Sequence, residues 1–197
     1  MLSVDDHIID KIKKSRKGSV FFIDDFLSFG TSKAVGKALE RLVKKNEISR
    51  VSRGIYARLK QHPFLGELSP TTEDIAIAIA KKDKARIIPT GVLALNALGL
   101  STQVPLKIVY LTDGSARTIK IGKRTIKFKK VSPKNLAAIG PISSLAIQAL
   151  KIIGKDNPTE KEIEIILKHL KTEEPYRLEH DIKLAPEWIR VIMRKAL

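Results

Sequence analysis

An α+β fold is the expectation from three features of the sequence. Apolar residues recur at helical spacing near the start of the chain and again beyond Ser143. "RTIKIGKRTIKFKKV", residues 117–131, alternates instead with a strict period of two, the mark of strands. Glycines and prolines punctuate the chain between these blocks.

Val4, Ile8, Ile9 and Ile12 share one helical stripe, and Gly18 is the expected stop. "SVFFIDDFLSFG" predicts a short extended segment and then a brief helix. In it Phe21, Phe22, Ile23, Phe26 and Leu27 supply core, and Asp24 is the expected cap. "TSKAVGKALERLVKKN" is the clearest helix, with Thr31 or Ser32 as cap and Val35, Ala38, Leu39, Leu42 and Val43 on one face. Lys33, Lys37 and Lys44 project from the opposite side, with Arg41 at its edge. Next come a short strand, Ile48 to Val51, a turn, Ser52-Arg53-Gly54, and a returning strand, Ile55 to Leu59. Ile55, Ala57 and Leu59 alternate with Tyr56, Arg58 and Lys60, so one ribbon face packs and the other holds a tyrosine among cations.

"QHPFLGELSP" reads as a linker, residues 61–70, between a domain at 1–60 and a second at 71–197. "TTEDIAIAIAKKDK" predicts a helix with a Thr71–Asp74 capping box, apolar nearly all round and so buried on several sides. "GVLALNALGL" is a second buried helix closing near Gly99, and "LKIVYLTD" a strand ended by Asp113-Gly114. A two-residue turn at Gly122-Lys123 sets Ile119 against Ile126 and Lys120 against Thr125. Ile119, Ile121, Ile126 and Phe128 then share the inner face, and Thr118, Lys120, Thr125, Lys127 and Lys129 the outer one. Like charges on one ribbon face repel, which points to an anionic or acidic partner there. In the helical C-terminal tail, Asn157 is the expected cap, with Pro158 at the first helical position and Glu160 reaching back. Pro186 opens a last helix carrying Trp188, a core residue.

Charge narrows the function. Lys and Arg number 37 against 21 Asp and Glu, a net charge of +16. Residues 1–60 hold 14 cations and 7 anions, and residues 105–134 hold 9 cations with Asp113 as their one anion. Such clustering attracts a polyanion and displaces its counterions. The absence of cysteine fits a reducing cytoplasm. "MLSVDDHIID" is no signal peptide, and the longest apolar run is far short of the ~20 residues that span a bilayer, so no membrane partner is expected.

Helix, short helix, longer basic helix and basic hairpin, in that order, is the layout of a winged helix-turn-helix. Its third helix enters the major groove and its wing lies on adjacent backbone or minor groove. Thr31, Ser32 and Lys33 suit the reading end of that helix, with Lys37 and Arg41 further along it. Arg50, Arg53 and Arg58 suit phosphate or minor-groove contact, with Lys60 beyond them, and Tyr56 either joins that contact or packs its ring and only hydrogen-bonds outward.

Chemistry is not visible. His7, His62, His169 and His180 are scattered outside any metal-ligand spacing, and no phosphate loop or nucleophile elbow occurs. Asp113 beside Lys120 and Lys127 would suit a metal-dependent nuclease, but no second carboxylate stands near it in the sequence. No catalysis, metal or cofactor is expected.

"EISRVSRGIYAR", and the later "IPTGVLALNALGLSTQVPLKIVYLTDG" followed by a basic hairpin, resemble the AbiEi-type antitoxins of bacterial type IV toxin–antitoxin systems. The resemblance implies an autorepressor that binds inverted repeats in double-stranded DNA, as a monomer or a DNA-induced dimer. It also implies an antitoxin opposing a toxin of the nucleotidyltransferase class, with or without direct contact. DNA-contact roles would fall on Thr31, Ser32, Lys33, Arg50, Arg53, Tyr56 and Arg58, and the second basic surface on Lys120, Arg124, Lys127 and Lys129. The alternative is an RNA-binding or ribosome-associated basic protein, or less readily a nuclease acting through Asp113. Few aromatic residues for stacking on bases count against the RNA reading.

Overall fold

A computed structural model describes residues 3–64 and 66–197. The chain divides into two compact units, Met1–Lys82 with Lys120–Gly122, and Asp83–Ile119 with Lys123–Leu197. The architecture is α+β, with small, mainly antiparallel sheets and a helical C-terminal region. No helix among the described residues is long and apolar enough to cross a membrane.

The first unit begins with helix α1 (Val4–Lys14), opened by a Ser3–Asp6 capping box. Its acidic first turn and basic last turn both suit the helix dipole. α1 ends at Ser15, whose hydroxyl donates to the Ile12 carbonyl, before the expected stop at Gly18. Strand β1 (Val20–Phe22) leads into a 3-10 helix, Ile23–Phe29. Asp25, not Asp24, reaches back to the Phe22 amide, at 2.7 Å. Asp24 instead pairs with Lys82 at 2.7 Å. Helix α2 (Ser32–Lys44) is capped by Thr31 and buries Val35, Ala38, Leu39 and Leu42. Strands β2 (Ser49–Ser52) and β3 (Ile55–Ala57) follow, joined by a turn in which Gly54 takes a φ of 73° open to glycine. β3 lies between β1 and β2, antiparallel to both. β3 is buried along its whole length, Tyr56 included, and the expected exposed aromatic face is not found there. Ile8, Ile12, Phe26, Leu39 and Ile48 complete this core.

The expected linker carries structure: β4 (Lys60–His62) and β5 (Gly66–Leu68) pair as a hairpin. Helix α3 (Thr72–Lys82) has the Thr71–Asp74 capping box the sequence predicts. It buries one face only, through Ile75, Ala76, Ile79 and Ala80, while Ile77 is 52 % exposed.

β6 (Ile87–Thr90), β7 (Lys107–Thr112), β8 (Arg117–Ile121) and β9 (Arg124–Lys130) form a sheet in the order β6-β7-β9-β8, all of it in the second unit except Lys120 and Ile121. β6 is antiparallel to β7, but β7 and β9 run parallel, with Ile108 beside Ile126 and Tyr110 beside Phe128. Those four residues are buried, and the two rings stack at 6.0 Å. Helix α4 (Val92–Ala97) closes at Gly99, as predicted, where φ is 70° and the Leu100 amide reaches the Leu95 carbonyl.

The rest is helical: α5 (Pro141–Ile153), α6 (Glu160–Leu170), α7 (Pro175–Ile182) and α8 (Glu187–Met193). α6 starts two residues later than the proline suggested, with Thr159 as cap and Glu162 reaching back. Pro186 caps α8 rather than standing inside it, and Trp188 packs against the core formed by Leu150, Ile166, Leu170 and Ile189. The start of α5 is completed by buried carboxylates from distant segments. Asp181 accepts from the Ile139 and Gly140 amides at 2.9 and 2.8 Å and from the Ser143 hydroxyl at 2.5 Å. Glu173 accepts from the Ile142 and Ser143 amides. Asp181 is fully buried, yet its oxygens are well supplied with donors.

Candidate nucleic-acid interface

The charged side of α2 follows from its own periodicity. With the apolar stripe turned inward, Lys33, Lys37 and Lys44 lie exposed on the far side, together with the anion Glu40. Thr31 and Ser32 are exposed at its first turn, although the Thr31 oxygen already accepts the Ala34 amide at 3.3 Å. Arg41, at the edge of the stripe, is engaged elsewhere. Its guanidinium forms a two-pronged pair with Asp5, Nε to Oδ2 at 2.8 Å and Nη2 to Oδ1 at 2.5 Å. The hydrogen bond from Arg41 holds the Asp5 carboxyl below the usual carboxylate range, and Asp5 in turn raises Arg41.

On the hairpin, Arg50 and Arg53 are exposed, Arg53 in the turn itself. Arg50 stands opposite Tyr56 in the register. Burial pushes the Tyr56 phenol up, the charge of Arg50 opposes that, and Glu40 adds to it. Tyr56 is therefore a core residue with a charged rim, not a residue displayed to solvent. Arg58 is also committed to the fold. One guanidinium nitrogen reaches the Ile12, Lys13 and Ser15 carbonyls at 3.3, 2.6 and 2.5 Å, closing the C-terminal end of α1. Lys60 is exposed but lines a cleft with Arg16 and Lys17, cations that lie outside the hairpin. Among the described residues, no carboxylate lies within salt-bridge distance of Lys33, Lys37, Lys44, Arg50 or Arg53.

In the second unit, Lys127 and Lys129 are exposed beside Val109 and Leu111 of β7. Lys107 has the same strand parity, so it extends this face, a grouping that only the parallel pairing of β7 with β9 reveals. Lys120, which groups with the first unit, is exposed on β8. Arg124 is exposed too, but alternation along β9 gives it the parity of Ile126 and Phe128, not that of Lys127 and Lys129. Asp113 is held by Arg86, through the backbone amide at 2.8 Å and Nε at 2.9 Å, which keeps its carboxyl below the ordinary range. No group of three or more metal-binding side chains is gathered among the described residues.

The solvent side of α2 and the Arg53 turn thus present cations that the fold does not use, while Arg41 and Arg58 bind the unit together. No curated protein matches the chain. The model of the family described as "Family of unknown function (DUF6088)" matches residues 7–178, and the chain belongs to that family.

Proposed function

We propose that the protein is a duplex-DNA-binding transcriptional repressor, with residues 1–60 acting as a winged helix-turn-helix and α2 as its reading helix. The observation that carries this reading is the set of unpaired cations Lys33, Lys37, Lys44, Arg50 and Arg53, on one helix face and one hairpin of a single small unit. Unpaired cations on a rigid scaffold gain most from phosphate, because no internal partner is lost on binding. Polar Thr31 and Ser32 at the first turn of α2 leave room for base edges. The lysine face of β9 is a second anion-facing surface. By the resemblance of its wing and second-domain segments, the protein is an antitoxin in the cytoplasm, repressing its own operon and opposing a nucleotidyltransferase-type toxin.

Fluorescence anisotropy on a duplex from the region upstream of the gene, against a scrambled duplex at fixed salt, tests the repressor role. Tighter binding to the upstream duplex is expected, with half-sites about 34–36 Å apart if two copies bind one side. Lys33→Ala/Lys37→Ala should weaken binding and reduce the salt slope by about 2. Equal affinity for the two duplexes, or preference for structured RNA, would overturn the reading. Growth rescue on co-expression with a nucleotidyltransferase encoded beside the gene tests the antitoxin role.

A further inference from the structure

We infer that the first unit holds a phosphate-group site, distinct from the proposed DNA face, in a cleft of about 400 Å3 lined by Arg16, Lys17 and Lys60. The position follows from the path of β3. That strand starts at the Arg53-Gly54 turn and runs away from it, so Lys60 emerges at the opposite end. There the segment after α1 is stitched to the continuation of β3. The Gly18 amide donates to the Arg58 carbonyl at 2.8 Å, and the Arg58 amide donates to the Ser19 carbonyl at 3.0 Å. The Arg58 side chain fixes the end of α1 from the other side. Two cations from the first segment and one from the second are thereby gathered on one cleft by backbone that is already tied down.

Three cations held together repel one another, and none has a carboxylate in salt-bridge range among the described residues. The cleft's own acid, Asp74, has its Oδ2 turned to the Thr71 amide and hydroxyl, and its single negative charge leaves the lining net positive. Ser19 and Ser69 add hydroxyl-bearing residues to the lining. An arginine and two lysines beside hydroxyls are complementary to the charge and the acceptor oxygens of a phosphate. The volume falls within the range of small-ligand sites. A free nucleotide or pyrophosphate and a backbone phosphate of nucleic acid share this chemistry.

Titration calorimetry of the full-length protein with sodium pyrophosphate and with adenosine 5′-diphosphate reads the first source, and duplex anisotropy reads the second. Saturable pyrophosphate binding is expected, weakened about tenfold or more by Lys60→Ala and by Arg16→Gln/Lys17→Gln, and restored towards wild type by Lys60→Arg. Lys33→Ala/Lys37→Ala should leave it unchanged, so failure of the repressor reading and failure of this one are separable. If the small phosphates do not bind but Lys60→Ala lowers duplex affinity, the phosphate belongs to a nucleic-acid backbone and the site stands. Unchanged pyrophosphate and duplex binding in both cleft variants, with unaltered thermal melts, would overturn it. So would equal weakening by Lys33→Ala/Lys37→Ala, which would reduce the effect to diffuse charge.

Discussion

The C-terminal end of α1 and the N-terminal end of α5 solve one problem with opposite charges. At α1, the Arg58 guanidinium gathers leftover carbonyls. At α5, the carboxylates of Asp181 and Glu173 gather leftover amides. Each matches the sign of the helix dipole at that end. They differ in access to water: Arg58 is half-buried, whereas Asp181 and Glu173 are buried. Water can stand in for a missing Arg58 but not for a missing Asp181, so the same device should matter far more in the second unit.

Asp181→Ala gives the sharpest test. It strands the buried Gly140 amide and Ser143 hydroxyl and frees the part-buried Ile139 amide, and urea unfolding should show a loss of about 3 kcal/mol. Gly140→Ala attacks the same site sterically. A Cβ there would stand 2.5 Å from Glu173 Oε2 and would also clash with Ser143 Oγ. We expect a loss of about 1–3 kcal/mol by the same measurement. Arg58→Ala should cost only about 1–2 kcal/mol, with Arg58→Lys recovering part of it. If Arg58→Ala proves worse than Asp181→Ala, the contrast in solvent access is not what sets the difference.

The smallest expected effect concerns Asp5. Arg41 holds its carboxyl low, so the pair stabilises the fold above the carboxyl's unfolded-state value and fades as pH falls through the folded-state one. Thermal melts between about pH 5 and pH 3 should show a shallower acid decline for Asp5→Asn than for wild type. An identical pH profile would remove the pair from the account of stability.

Local devices were legible in the sequence and distant ones were not. The Thr71–Asp74 box, the Thr31 cap of α2 and the Gly99 closure of α4 each lie within a few residues of what they complete. Residue type and spacing suffice for them. Arg58, Asp181 and Glu173 reach across the fold, and periodicity records which face a residue takes without naming its partner. For Tyr56 alternation leaves a packed and a displayed ring both open, and burial selects the packed one. Alternation implies one wet face, but Ile55, Tyr56 and Ala57 of β3 are all buried, so both faces of this short strand are covered. β6 escaped notice because it is four residues long and contains Pro89. Of the candidate site, the lysine stripe of α2 was read from its spacing, while the engagement of Arg41 and the grouping of Lys60 with Arg16 and Lys17 required the tertiary structure.

The strand order β6-β7-β9-β8 leaves two margins on the second unit's sheet. Pro89 removes an amide hydrogen from one of them, and the other carries Arg117 and Lys120. A second copy laid alongside would meet a missing donor at one margin and the Lys120 charge at the other, which disfavours edge-to-edge pairing of two sheets.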